Sequence, residues 1–312
     1  MTGWVRCMVL SAVLAWPVPV VYAKTILVGP DQALKFPSAA DQVAKDGDTV
    51  EIEPMKGGYF DCANWHQNNL TIEGKGPGVV ITDKTCEGKG LFIVSGNNVT
   101  VRNITFQRAR VPDHNGAGIR SQGTNLTVDH CRFLDNENGI LSNVNLTASH
   151  VIITNSEFVD NGSCSGPGCA HGIYINQVAL LRVENSVFKR THHGHHIKSR
   201  AAETVLIGNT IEDGPTGNSS YLVDIPNGGT LIMQNNTLEK GPDAENHSTA
   251  VTLGEEGVTQ RTKEITITNN TFTNDMSHPT IFVRNLTATP AILKGNKLVG
   301  QIKPLDGDGK VE

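Results

Sequence analysis

AHGIYINQ (170–177), HHIKSRAA (195–202) and YLVDIPNGG (221–229) fall into register when Ile173, Ile197 and Val223 are set in one column. One place later stand Tyr174, Lys198 and Asp224; one place earlier Gly172, His196 and Leu222; three places later Asn176, Arg200 and Pro226. The offsets of 24 and 26 residues are about one coil of a parallel β-solenoid. Each of the three lines is followed by a hydrophobic run and an Asn-rich turn.

The same pattern runs outward in both directions. NVTVRNITF (98–106), NLTVDHCRF (125–133), VIITNSEF (151–158), LRVENSVF (181–188), TLIMQNNTL (230–238) and EITITNNTF (264–272) each join a short alternating run to a small polar residue and then an apolar one. VLIGNTI (205–211) and AILKGNKL (291–298) fit more loosely. With Asn103, His130, Asn155, Asn185, Asn209, Asn235, Asn269 and Gly295 as markers, the spacings are 27, 25, 30, 24, 26, 34 and 26. Such irregularity puts loops of variable length on one side of the coil. A helical period is absent and β-branched residues dominate the runs, so the repeat unit is made of strands. The expected fold is all-β: a single-stranded right-handed parallel β-helix whose stacked coils bury an apolar face that no single coil can bury alone.

An exposed end of such a coil invites edge pairing. Residues 35–43, KFPSAADQV, can form a short N-terminal capping helix with Ser38 near its cap, and residues 301–312 read as a short polar, frayed tail. The Asn-x-Ser/Thr sites, among them Asn69, Asn98, Asn103, Asn125, Asn145 and Asn285, read as turn chemistry rather than as glycan acceptors, because asparagine tolerates left-handed backbone and threonine favours the strand that follows.

The segment TILVGP…FPSAADQVAKDGDTVEIEP (25–54), followed by the Asn-ended lines, resembles the pectate-lyase-like superfamily of right-handed parallel β-helix proteins. The resemblance covers nearly the whole chain after residue 23. It implies the fold, and it implies a choice of activities: polysaccharide lyases, glycoside hydrolases, uronan epimerases and non-catalytic members share this architecture.

The chain has 312 residues, 38% of them hydrophobic, and a formal charge of −5, so no basic excess speaks for nucleic acid. Residues 1–23 read as a signal peptide, with Arg6 as the positive region, Met8 to Trp16 as the apolar core and Val21-Tyr22-Ala23 as the cleavage site. Residues 24–312 are then one β-helix domain, secreted or periplasmic, with no membrane attachment after signal removal. Export permits disulfides. Cys62 and Cys86 lie 24 residues apart, one coil, and Cys164 and Cys169 flank a Gly-Pro-Gly loop; Cys131 reads as a small core residue.

Alternate residues of a strand face opposite ways. With Ile173, Ile197 and Val223 inward, the places one before, one after and three after are expected to face out. The frame extends to Ile119, Ile140 and Val251 and adds Arg120 to the outward column. Neighbouring strands lie roughly 4.8 Å apart, which makes Tyr174, Lys198 and Asp224 neighbours, with His196 and Arg200 flanking Lys198. These five form the expected catalytic set; Arg120, His171, Asn176, His195, Tyr221 and Asn227 are the expected substrate-binding residues. The turn THHGHH (191–196) lacks a nearby acidic cluster, so no metal and no other cofactor is expected.

These residue types suit elimination across a uronate ring, or C5 epimerisation. A cation must neutralise the carboxylate and a base must take the neighbouring proton. Arg200 and Lys198 suit the first role, Tyr174 or His196 the second, and Asp224 would hold Lys198. Hydrolysis would need a second carboxylate about 5–9.5 Å from Asp224, for which Asp213, Glu212 and Glu255 are candidates. A non-catalytic polysaccharide-binding flank is the alternative of a different class.

Overall fold

The computed structural model describes residues 23–144, 146–165 and 168–312; the expected signal peptide, but for Ala23, and Asn145 lie outside them. Among the described residues the strands pair with one another in parallel and form three sheets of twelve, nine and ten members, and only isolated bridges such as Cys86 with Gly90 are antiparallel. From Thr71–Gly74 onward one strand goes to each sheet in turn, so successive neighbours within a sheet are one coil apart. That order is the expected solenoid. One apolar core runs through it from Ile26 to Leu293.

Side-chain stacks explain why the coils keep register. Phe106, Phe133, Phe158 and Phe188 occupy paired positions in the nine-stranded sheet, and their rings stack with centroids 4.5–5.2 Å apart. Offset aromatic pairs add roughly 0.5–1.5 kcal/mol each beyond the area they bury. At the adjoining corner a ladder of small polar side chains satisfies turn amides that the bend withdraws from the strands. Ser186 N–H donates to Asn209 Oδ1, Asn209 N–H to Asn236 Oδ1, Asn236 N–H to Asn270 Oδ1, and Asn270 N–H to Asn296 Oδ1, all at 2.9 Å. A buried amide without such a partner costs about 1–3 kcal/mol.

The residue just before this ladder takes left-handed backbone: Asn103, His130, Asn155, Asn185, Asn235 and Asn269 have φ between 50° and 58°, Gly208 67° and Gly295 64°. Asn209 is therefore one place off the marker column; its true equivalent is Gly208, and Asn209 belongs to the ladder. Asn69, Asn98 and Asn125 are left-handed too, in keeping with turn chemistry, whereas Asn285 is buried at a strand end.

Two end features differ from expectation. The capping helix is five residues, Pro37–Asp41, and its cap is Phe36, with no side-chain bond; Pro37 opens it because its missing N–H is an orphan there in any case. Ser38 instead gives its N–H to Asp61 Oδ2 at 2.8 Å. Residues 301–312 are not a frayed tail: Ile302–Gly307 and Gly309–Val311 complete the last coil as strands. Disulfides join Cys62 to Cys86 and Cys164 to Cys169, while Cys131 is buried and free. Among the described residues no helix is long and apolar enough to cross a membrane.

Candidate functional site

The ten-stranded sheet carries the site. In it Ile140 pairs with Ile173, Ile173 with Ile197, Ile197 with Val223 and Val223 with Val251, so the expected column is the observed one. Leu141, Tyr174, Lys198, Asp224 and Thr252 follow as the adjacent column on the outer face, with Arg120 below them.

The column one place earlier does not face out. A Cβ on Gly118 would lie 2.7 Å from the Phe133 ring, and one on Gly139 2.7 Å from the Phe158 ring, so this column points into the core at the corner where each strand begins. Glycine is required there because the phenylalanine stack fills the space. Beyond Phe188 the stacked row carries Ile211, and the column accepts larger side chains, His196 and Leu222. His196 is fully buried. Its Nδ1 bonds Thr191 Oγ1 at 2.8 Å and its Nε2 meets Asp213 Oδ1 at 3.0 Å. The expected outward His196 is thus a core residue, because two successive residues point inward at the corner and strict alternation starts only after it.

Asp213 shares this buried set. Desolvation works to raise its pKa, yet the hydrogen bond and charge of His196 and the charge of Lys240 prevail and hold it below the usual carboxylate value. Lys240 Nζ donates to Ser220 O at 2.6 Å, and burial draws its pKa down to about 8. Asp213 therefore cannot partner Asp224 on the outer face. Glu212 is paired with Lys189 at 3.3 Å, and Glu255 accepts from Thr252 Oγ1 at 3.1 Å and meets Arg284 at 3.5 Å.

On the outer face Tyr174, Lys198, Arg200 and Glu256 converge, with Asn227 and Asp224 beside them. Arg200 Nε donates to Tyr174 Oη at 2.8 Å, its Nη1 to Asn227 Oδ1, and its Nη2 to Glu256 Oε2 at 2.5 Å. Lys198 Nζ lies 2.7 Å from Glu256 Oε1, 3.4 Å from Asp224 Oδ2, and 5.5 Å from the centre of the Tyr174 ring. The guanidinium and the ammonium thus flank one phenol and share one carboxylate. Glu256 lies below the usual glutamate pKa: partial burial opposes this, but the bonds from Lys198 and Arg200 outweigh it. Glu256 lies outside the frame of aligned columns, since it belongs to the turn that follows Thr249–Leu253, two strands further along the sheet; only a contact 58 residues away in sequence brings it to Lys198.

Behind the cations runs a row of rings. His171 and His195 stack at 4.8 Å, His171 meets Tyr174 edge-on at 5.3 Å, and His195 lies 5.1 Å from Tyr221. His171 Nδ1 accepts the N–H of His195 at 2.9 Å, and His195 Nδ1 accepts the N–H of Tyr221 at 3.1 Å. Because Nδ1 of His195 is an acceptor, the proton of its neutral ring sits on Nε2, which faces Asp224 Oδ2 at 3.3 Å. Burial, then the charge of Lys198, presses the His195 pKa down to about 3; burial likewise holds His171 well below its ordinary value. Asp224 moves the other way, to about 6, because desolvation outweighs the charge of Lys198. Its Oδ1 is buried without a hydrogen-bond partner.

The outer expected residues divide. Asn227 joins the cluster through Arg200 and holds Gly257 O through Nδ2 at 3.2 Å. Asn176 is tied instead to the coil below, its N–H to Ser142 Oγ and its Nδ2 to Ser142 O, both at 2.8 Å. Arg120 lies two coils below Lys198's neighbour Tyr174, reaching Asn143 Oδ1 at 3.4 Å. Among the described residues no group of three or more His, Cys, Asp or Glu side chains is arranged to hold a metal ion.

Comparison with known proteins bears on the fold. A solved alginate lyase from Paenibacillus sp. str. FPU-7 superposes with a TM-score of 0.58 at 17% identity, over 92% of this chain and 99% of that one. A capsular polysaccharide depolymerase, the tailspike protein gp49 of Acinetobacter baumannii bacteriophage Fri1, gives 0.46 at 12% identity, over 92% and 62%. A mannuronic acid specific polysaccharide family 6 lyase from human gut microbiota gives 0.38 at 13%, over 90% and 83%. No curated protein matches the chain. The family model of the right handed beta helix region matches residues 60–211 and 163–304, and with the coil order described above this makes the chain a member of the right-handed β-helix family.

Proposed function

We propose that the protein is an exported carbohydrate-active β-helix enzyme that acts on a uronate-containing polysaccharide by β-elimination, or by C5 epimerisation with the same groups. One observation carries this reading: Arg200 Nε bonds Tyr174 Oη at 2.8 Å with Lys198 Nζ 5.5 Å from the same ring, on the solvent side of stacked strands. A proton acceptor thus stands beside two cations. Elimination needs that arrangement, since the carboxylate must be neutralised before the C5 proton becomes acidic.

In this scheme Lys198 and Arg200 receive the uronate carboxylate, Arg200 through its planar fork. Tyr174, acting as the phenolate, removes the C5 proton at Oη. The electron pair of the C5–H bond becomes the C4–C5 double bond, the C4–O bond breaks, and the departing oxygen takes the proton that Tyr174 has acquired. If C4–O stays intact and C5 is reprotonated on its opposite face by a donor there, while Tyr174 keeps the proton it took, the outcome is epimerisation. Asp224 acts through Lys198, which it holds from behind at 3.4 Å, and so is a positioning residue. Arg120, His171, Asn176, His195, Tyr221 and Asn227 shape the surface around the reacting groups. His196 has no part, being sealed in the core. The full-length likeness to an alginate lyase supports the substrate class, and the two disulfides support an extracellular or periplasmic site of action. Hydrolysis has less support, because Asp224 and Glu256 are both bound to Lys198 and Asp213 faces the core.

Incubation with a panel of uronans tests the reading. Growth of the ultraviolet absorbance of an unsaturated uronate is expected. Altered uronate stereochemistry alone assigns epimerisation, new reducing ends without absorbance assign hydrolysis, and unchanged polymer with retained binding assigns a binding module.

A further inference from the structure

Glu256 spans the cation pair, one carboxylate oxygen on each: Oε1 at 2.7 Å from Lys198 Nζ and Oε2 at 2.5 Å from Arg200 Nη2. A uronate carboxylate would need the same two positions. Glu256 comes from the turn 254–257, where Gly254 and Gly257 both have φ of +90°, a conformation that lets the chain double back over the site. The backbone of the turn is fixed. Gly254 N–H donates to Ile225 O at 2.9 Å, Glu256 N–H to Pro226 O at 3.0 Å, and Asn227 Nδ2 to Gly257 O. The side chain is not enclosed: Glu256 is 44% exposed, against 11% for Lys198 and 16% for Arg200. It can leave the cations for water by side-chain rotation alone, and Lys198 then still keeps Asp224 as a counter-ion.

Without Glu256, Arg200 would be left with no carboxylate and Lys198 with Asp224 alone, which is costly for cations this enclosed. A carboxylate that covers them in the free protein and yields to another one solves that problem while keeping both cations aimed outward. We propose that Glu256 is an intramolecular stand-in for the substrate carboxylate: it occupies the seat on Lys198 and Arg200 and is displaced when an acidic sugar binds. The proposal rests on the uronate reading above. It makes Glu256 a specificity-determining residue, because a neutral sugar offers the cations nothing in exchange for the anion it would expel. The contact is partly exposed, so its hold is modest, about a threefold to tenfold effect on affinity.

Binding of hexamers of mannuronate, guluronate and galacturonate is to be measured calorimetrically in Tyr174→Phe protein, in which turnover is expected to be slowed about 10²–10⁴-fold, with and without Glu256→Gln. Carboxyl-reduced, neutral versions of the same hexamers serve as controls. The expected result is that Glu256→Gln tightens a uronate hexamer about threefold to tenfold, leaves the neutral hexamers unchanged, and lowers KM in the Tyr174-containing enzyme. If a uronate hexamer binds Glu256→Gln protein equally or more weakly, Glu256 is a fixed clamp that positions Lys198 and Arg200; the stand-in is overturned and the uronate reading stands. If no uronate hexamer binds either protein, both fall together.

Discussion

Arg200 and Tyr174 belong to neighbouring coils, 26 residues apart, and meet through a 2.8 Å hydrogen bond from Nε to the phenol oxygen. This contact separates the outer-face cluster from an ordinary solvated ion pair, because it fixes the phenol oxygen against the guanidinium while the Lys198 ammonium stands 5.5 Å from the centre of the same ring.

Tyr174→Phe is expected to lower turnover by about 10²–10⁴-fold, the usual contribution of a positioned acid–base group, with little change in the melting temperature, since the ring remains. Arg200→Lys is expected to keep the charge but lose the fork that spans Tyr174, Asn227 and Glu256. Steady-state assay of unsaturated product reads both. Full activity in Tyr174→Phe would remove the phenol from the mechanism.

His196→Ala is a stability variant. It removes the partner of Asp213 at 3.0 Å and of Thr191 at 2.8 Å in a sealed part of the core. Stranding a buried ionic partner costs about 3–5 kcal/mol. Urea unfolding is expected to show a loss of that order, with the folded fraction retaining turnover. A melting temperature equal to wild type would contradict the buried network.

Stability against pH should expose Asp224. Its folded pKa of about 6 is above the ordinary value of 3.8, so between these values the folded chain binds more protons than the unfolded one. That contribution is present below pH 4 and lost as pH rises through 6. Asp224→Asn is therefore expected to remove a downward slope over about pH 4–6. Melting curves at several pH values report the difference between the two proteins, and an unchanged slope would refute it.

His195 has the opposite sign. Its folded pKa of about 3 is below the ordinary 6.5, so in this window the unfolded chain takes up a proton that the folded chain refuses. Stability from this group is present above pH 6.5 and lost as pH falls toward 3. His195→Gln is expected to melt lower than wild type at pH 8, where the contact with Asp224 is lost, yet to lose less on acidification to pH 5. Parallel acid profiles would overturn the assignment.

The Cys62–Cys86 bridge closes a 24-residue separation across one coil. Replacing both by serine is expected to cost about 2–4 kcal/mol, seen as a lower denaturant midpoint. Reduction, which opens Cys164–Cys169 as well, should lower the midpoint by at least as much.

Much of this protein was legible in the chain itself. A strand lets side chains alternate and parallel stacking adds whole coils, so aligning Ile173, Ile197 and Val223 was enough to place Tyr174, Lys198 and Asp224 side by side. Cysteines one coil apart paired for the same reason. Alternation fails at corners, where two successive residues can both point inward, and whether such a place holds glycine or His196 depends on the ring stacked across the core; only the tertiary structure decided that. The same holds for Glu256, whose turn folds back over Lys198 and Arg200 from two coils further on, because loop direction follows from long-range contacts that no local period encodes.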